Sequence, residues 1–291
     1  MTPTDAATMP RRSVLYLPAS NPRAIDKARS LPCDGVVLDL EDSVAPDAKA
    51  LARDMAAQAL RLGGFGRREV IVRVNGLDTP WGEADLEMVS AIAPDAVLAP
   101  KIGDAGDIAR YEARLTGAPE RVQLWAMIET CRALFHLDGL GAAAKTSRLS
   151  CLVLGTNDLA KEMGAEPGPD RAPFWAAFTL SIAAARANGL SVLDGVYGAL
   201  DDAAGLTAEC LQGKAFGFDG KTLIHPSQID PCNTAFSPSA ARVAWAQAVV
   251  AAFADPAAAG KGALRVDGGL AERLHLVQAE RILAASKDVG G

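Results

Sequence analysis

The sequence predicts an α/β fold, a (β/α)8 barrel with a C-terminal helical extension. Three observations predict it. Eight short apolar runs recur along the chain, helical stretches separate them, and polar residues gather just after the runs rather than before them. A closed barrel of about 250 residues needs eight parallel strands alternating with helices, and it carries its functional groups at the C-terminal strand ends. The 291 residues leave room for that barrel and a tail.

The expected strands are Val14–Pro18, Gly35–Leu40, Glu69–Val74, Ala96–Pro100, Gln123–Ile128, Ser150–Leu154, Ser191–Leu193 and Ala215–Phe218. Helices are expected at Pro22–Ser30, Pro46–Leu62, Thr79–Ile92, Ala105–Leu115, Arg132–Ala144, Arg171–Ala187 and Asp201–Gln212. Asp78-Thr79-Pro80 and Gly168-Pro169-Asp170 supply helix starts, and Asn188-Gly189 a stop. Pro238–Ala254 reads as a closing helix, so residues 1–254 are expected to form the barrel domain. Residues 255–291 form an extension with a short extended piece, a Gly268-Gly269 turn and an amphipathic helix. It is expected to act as a lid over its own or a neighbouring subunit's active site; the alternative is an ordinary packing helix.

Bulk composition narrows the function. A net charge of −6 argues against nucleic acid as a partner. The five cysteines are scattered without CxxC spacing, which reads as reduced thiols rather than a disulfide frame or a structural zinc site. The first twelve residues lack the apolar run of a signal peptide, and no apolar stretch is long enough to cross a membrane. A cytoplasmic protein without membrane contact is expected.

The chemistry centres on Val36-Val37-Leu38-Asp39-Leu40-Glu41-Asp42, a buried strand ending in three carboxylates. Carboxylates so crowded need a cation, a basic side chain or backbone N–H groups to offset their repulsion. The bland alternative is a polar strand end facing water. Arg73 ends the third expected strand and supplies a forked donor for a carboxylate or enolate oxygen, or a structural partner for Asp39. Glu129 and Asp158 end adjacent strands, so their carboxylates can converge. Two oxygen anions without His or Cys nearby suit a hard divalent cation, Mg2+ first, with waters completing the octahedron. Gly155 lets backbone approach a ligand closely, and the N–H groups of Thr156 and Asn157 could hold a carboxylate. Lys101 and Lys221 are the candidates for a Schiff base, a reading the acid pair makes weaker than a metal mechanism. His225, just before Pro226, reads as structural. Arg11, Arg12, Arg23, Lys27 and Arg29 flank Tyr16-Leu17-Pro18 as the densest basic patch, suited to the phosphates and flat ring of coenzyme A, or else a solvated helix face.

At these residues the chain resembles the citrate lyase β-subunit-like branch of the HpcH/HpaI aldolase superfamily, which includes the malyl-CoA, methylmalyl-CoA and citramalyl-CoA lyases. The resemblance rests on Arg12-Ser13-Val14-Leu15-Tyr16-Leu17-Pro18, Leu38–Val44, Val72-Arg73-Val74-Asn75-Gly76-Leu77-Asp78, Pro100-Lys101 and Ile128-Glu129. It continues through Leu154-Gly155-Thr156-Asn157-Asp158, Asp194-Gly195 and the run from Gly220-Lys221-Thr222 to Ile229, in family order. It implies a TIM barrel in a homotrimer or hexamer, with Mg2+ (Mn2+ as the alternative) on Glu129 and Asp158. Arg73 would bind 2-oxo acid oxygens and stabilise a thioester enolate. Asp39, Glu41, Asp42 and Lys101 would hold Arg73 and the metal waters, and Tyr16, Asn21 and Lys27 would lie near coenzyme A. The implied reaction is reversible cleavage of a 3-hydroxyacyl-CoA into an acyl-CoA and a 2-oxo acid. One departure concerns the tail: relatives carry Gly-x-x-x-Asp, whose Asp acts as acid or base, whereas Gly268-Gly269-Leu270-Ala271-Glu272 ends in Glu272. Malyl-CoA-type thioester hydrolysis, aldol cleavage of free 2-oxo acids, and a β-like subunit working on an acyl-carrier thioester are the competing expectations.

Overall fold

The structure, a computed structural model, describes residues 10–258 and 260–287. Packing divides it into two compact units, Arg11–Ala235 and the stretch from Phe236 onward. The first holds a closed, all-parallel barrel of β1 (Ser13–Pro18), β2 (Gly35–Asp39), β3 (Glu69–Arg73), β4 (Ala96–Ala99), β5 (Gln123–Ile128), β6 (Leu149–Leu154), β7 (Ser191–Asp194) and β8 (Gly220–Leu223), paired in sequence order with β8 returning to β1. This is a TIM barrel, as expected.

Strand parity explains both the core and the site. Val14, Val37, Ile71, Leu98, Trp125, Cys151, Val153 and Leu193 are buried together as the barrel filling. Stepping two residues along the same strands, or four from Trp125 by way of Met127, gives Tyr16, Asp39, Arg73, Glu129 and Gly155, because successive side chains alternate between faces. The inward stripe is thus apolar along the strands and becomes charged at the mouth on β2, β3 and β5, at Asp39, Arg73 and Glu129. The opposite end is closed by Arg11, which lies 4.6 Å above the Trp125 ring and pairs with Glu69 at 2.7 Å.

Three elements differ from expectation. The eighth strand is Gly220–Leu223, not Ala215–Phe218. Ala215 and Phe216 continue the helix Ala203–Phe216, which Gly217 ends at φ +112°, its N–H donating to Gly213 and Lys214 carbonyls. A lysine inside a four-residue strand hid the true one. Lys221 is fully buried and donates to Asp194 (3.1 Å), Glu209 (2.5 Å) and the Gly195 carbonyl (2.5 Å). Secondly, Thr156–Met163 is a helix capped by Gly155, so Asp158 sits in a first helical turn rather than on a strand end.

Thirdly, the barrel unit ends at Ala235, whereas the sequence expectation ran it to residue 254. The helix Ala240–Ala254 belongs to the second unit. There its Ala246 and Val249 bury against Val266, Ala271 and Ala279, which lie on a hairpin, β9 (Ala263–Val266) with β10 (Gly269–Glu272), and on the helix Arg273–Lys287. An alanine-rich helix carries too little periodicity to name its partner in advance.

Replacing Lys221 by Met leaves Asp194 and Glu209 without their shared ammonium inside the wall. Removing one member of a buried ionic group costs roughly 3 kcal/mol or more. Urea unfolding of Lys221→Met is expected to show a lower midpoint at unchanged slope; an unchanged midpoint would refute the structural role.

Candidate active site

The C-terminal mouth of the barrel opens into a cavity of about 310 Å³ lined by Tyr16, Asp39, Asp42, Ser43, Arg73, Met127, Glu129, Thr156, Asn157, Asp158 and Thr222, among others. Arg73 dominates one wall and is 8% exposed. In the β2–β3 register Asp39 stands directly beside it. The two make a bidentate pair, Nε to Oδ1 at 2.6 Å and Nη2 to Oδ2 at 2.7 Å. Nη1 lies 2.8 Å from Glu41 and 3.3 Å from Asp42, and the guanidinium sits 5.0 Å above the Tyr16 ring.

These charges are not equivalent. Burial alone would raise the Asp39 pKa, but the Arg73 hydrogen bonds and charge hold it below the usual carboxylate range. Glu41 is pushed up to about 8 by burial and then by Asp42, Glu129 and Asp39, which outweigh Arg73. Asp39 therefore carries the counter-charge of Arg73, and Glu41 holds a proton near neutral pH. The loop bearing these acids is pinned from behind: the buried Lys49 ammonium donates to the Leu40 and Glu41 carbonyls at 2.8 and 2.7 Å. Asn75 donates to the same Leu40 carbonyl at 2.9 Å and to Asp85 at 2.6 Å.

The second wall carries the acid pair. Glu129 is 1% exposed; its Oε1 accepts the Lys101 backbone N–H at 2.7 Å, and its buried Oε2 has no hydrogen-bond partner. Asp158 approaches it, and the Lys101 ammonium lies 2.8 Å from Asp158 Oδ1 and 3.4 Å from Glu129 Oε1. Burial raises the Glu129 pKa; for Asp158 the Lys101 hydrogen bond and charge outweigh burial and lower it. A Cβ on Gly155 would come within 2.5 Å of the Glu129 Cβ and 2.7 Å of Oε2, so glycine is what gives that oxygen its space.

A divalent cation fits these residues. The unpartnered carboxylate oxygen, the glycine cradle beside it and an all-oxygen donor set suit Mg2+ rather than a softer metal. Among the described residues no group of three or more His, Cys, Asp or Glu could hold a metal, so two carboxylates would leave most positions to water or substrate oxygens.

Other expected residues fall differently. Tyr16, near the end of β1, lies in the cavity with its hydroxyl buried and without a partner. Asn21 caps the helix Pro22–Ala28 by accepting the Ala24 N–H at 3.1 Å, and Lys27 is exposed on that helix. The basic patch is split, because Arg11 and Arg12 precede β1 at the far end of the barrel, Arg12 pairing with Asp34 at 2.8 Å. Lys221 and Lys101 both have raised pKa values, since their carboxylate partners outweigh burial. A Schiff-base lysine needs the opposite shift. His225 caps a short turn, its Nδ1 2.8 Å from Ser227 Oγ.

Asp194 points away from the cavity, on the opposite parity from Leu193, and is held by Arg171 at 2.8 Å. This buried group carries Gly195, whose missing Cβ would meet Thr156 Oγ1 at 2.6 Å. Sequence reasoning missed Lys49, Asp85, Arg171 and Glu209. Each lies within a helix or a loop where a charge reads as surface, and only the packing turns it inward. Glu272 ends β10 opposite Ala263, its N–H donating to His275 Nδ1 at 2.8 Å.

A buried guanidinium faces an acid pair across the barrel mouth, a set of groups chemically suited to an oxyanion beside a hard cation. The family model described as HpcH/HpaI aldolase/citrate lyase matches residues 12–226, and the chain belongs to that family. It is 45% identical to a (3S)-malyl-CoA thioesterase of Cereibacter sphaeroides over 96% of each chain. It is 33% identical to an L-malyl-CoA/beta-methylmalyl-CoA lyase of Rhodobacter capsulatus, over 94% of this chain and 93% of that one. Its structure resembles CitE of Mycobacterium tuberculosis in complex with magnesium, acetoacetate and coenzyme A, with a TM-score of 0.78, 28% identity, and coverage of 97% and 99%. No helix among the described residues is long and apolar enough to cross a membrane.

Gly155→Ala drives a methyl against the Glu129 side chain, 2.5 Å from its Cβ and 2.7 Å from Oε2, so that carboxylate must move. Calorimetric titration is expected to find Mg2+ affinity reduced roughly tenfold or more, the size of one displaced charged contact. Unchanged affinity would remove Glu129 Oε2 from the cation site.

Proposed function

We propose that this protein is a Mg2+-dependent carbon–carbon lyase. It cleaves, or in reverse forms, a short 3-hydroxyacyl-CoA of malyl-CoA or citramalyl-CoA type, giving an acyl-CoA and a 2-oxo acid. The observation that carries the reading is the convergence of Arg73, Glu129 with its unpartnered oxygen, and Asp158 on one cavity. The CoA-thioester substrates in the relatives' names, and the magnesium and coenzyme A bound by CitE, support it.

Cleavage removes the proton of the C3 hydroxyl, turns that C–O bond into the oxo acid's carbonyl, and sends the C2–C3 electron pair into the thioester as an enolate. The enolate takes a proton at carbon to become the acyl-CoA. When bound, Mg2+ (or Mn2+) supplies a Lewis acid for the oxygens of the hydroxy-carboxylate end. Arg73 offers preorganised donors to the developing negative oxygen, and because Asp39 grips its Nε and Nη2, the guanidinium need not reorganise as charge builds. The Thr156 and Asn157 backbone N–H groups, opening the helix behind Gly155, orient the carboxylate. Glu272 serves as the acid or base, from its own or a neighbouring subunit of a homo-oligomer. Leu270, Leu274 and Val277 beside it are 68%, 62% and 50% exposed, apolar surface suited to such an assembly. Coenzyme A enters as part of the substrate, with Tyr16, Asn21 and Lys27 on the β1 side of the mouth.

A second reading, thioester hydrolysis, is favoured by the 45% identity to a (3S)-malyl-CoA thioesterase across nearly the whole chain. In that case the tail carboxylate activates water.

Purified protein with Mg2+ and malyl-CoA, methylmalyl-CoA or citramalyl-CoA separates the two. The lyase releases a 2-oxo acid without free thiol; free thiol without 2-oxo acid establishes the hydrolase and overturns the first reading. Arg73→Lys keeps the charge but loses the fork, and is expected to lower kcat/KM by about 10²-fold or more with Mg2+ affinity nearly unchanged. Wild-type kinetics in that variant would reduce Arg73 to a structural residue. Glu272→Gln is expected to lower kcat by about 10²-fold at similar KM, the typical worth of a general acid or base. Undiminished turnover would remove it from the chemistry.

A further inference from the structure

Lys101 is unusual three times over. It is one of four non-glycine residues with positive φ among the described residues, at +53°, a conformation that costs an L-residue free energy and persists only where its surroundings impose it. Its backbone N–H donates to Glu129 Oε1 at 2.7 Å, which ties the strained turn to the acid pair. Its ammonium then bends back, 2.8 Å from Asp158 Oδ1 and 3.4 Å from Glu129 Oε1. Glu129 is fully buried, whereas the Lys101 side chain is 39% exposed and so has solvent to move into.

The two acids face each other and repel unless a cation stands between them. A tethered ammonium satisfies that need with one charge, and a divalent cation satisfies it with two. The two cannot share the position, since Mg2+ would bring its carboxylate oxygens to about 2.0–2.1 Å. We infer that Lys101 is a built-in competitor for the cation subsite: its ammonium and the divalent cation exclude one another from Glu129 and Asp158. Lys101 thereby sets how tightly the protein binds its cation before substrate arrives, and it keeps the acid pair compensated whenever the cation leaves. Substrate oxygens that ligate the cation tip the balance against the lysine, so cation and substrate bind cooperatively.

The inference rests on the cation subsite proposed above, and the test separates the two. Mg2+ is titrated calorimetrically into the wild type, Lys101→Met and Lys101→Gly, without thioester. Methionine keeps the stem and removes the charge; glycine also relieves the positive φ, which guards against a variant that misfolds. Both are expected to bind Mg2+ more tightly, by on the order of tenfold, because a unit charge at contact distance has been removed. Wild type that binds while both variants bind equally or more weakly overturns the competition and leaves the subsite standing. Failure of all three to bind Mg2+ overturns the subsite itself. A role confined to holding the loop predicts weaker binding in Lys101→Gly than in wild type, the opposite sign.

Discussion

The bidentate pair between Arg73 and Asp39 is the contact on which the rest of the mouth depends. The β2–β3 register sets the two residues side by side at the last inward position of their strands, directly above the apolar filling. A guanidinium so deeply buried is tolerable only with a carboxylate in contact, and stripping away either partner of such a pair costs about 3–5 kcal/mol. Asp39 is thus held ionised, while Glu41, crowded by burial and neighbouring acids, takes up a proton instead. One wall becomes a fixed positive donor, its counter-charge held against it by two hydrogen bonds.

The opposite wall obeys a different logic. There the buried carboxylate is left incomplete: Glu129 Oε2 has no partner, Gly155 keeps space open beside it, and the compensating charge is a partly exposed lysine rather than a buried arginine. In the proposed function the site combines a buried cationic donor with a position for a divalent cation. That combination suits a substrate whose two ends develop negative oxygen at different moments. Behind the walls, Lys49 and the Arg171–Asp194–Lys221–Glu209 group are buried charges whose work is to hold backbone where those side chains need it.

The barrel was legible because parallel strands buried on both faces read as continuous apolar runs, and seven of eight runs fell on true strands. Arg73 and Glu129 were legible as charges at the ends of such runs, a position that strand parity aims inward; Asp158 was legible only as an acid soon after a run, and the first turn of a helix brings it to the cavity. The eighth strand was hidden because its burial includes an ammonium whose partners, Asp194 and Glu209, are far away in sequence. The helix at Thr156–Met163 was missed since Gly155-Thr156-Asn157-Asp158 reads equally as a loop. Asp85 and Arg171 gave no sign at all; their burial is a property of the packed helices, not of local pattern. Arg11 and Arg12 misled for a related reason, since sequence distance from Tyr16 conceals that a strand separates its two ends by the height of the barrel.

The central claim is that this mouth binds a 2-oxo acid through Arg73 and a divalent cation together. Oxalate, a stable mimic of the two adjacent oxygens of such an acid, tests it most directly when titrated calorimetrically with Mg2+ or with chelator. The account predicts saturable binding with Mg2+, and its loss both in chelator and in Asp158→Asn with Mg2+ present. Oxalate affinity that is the same with and without Mg2+ would contradict the account.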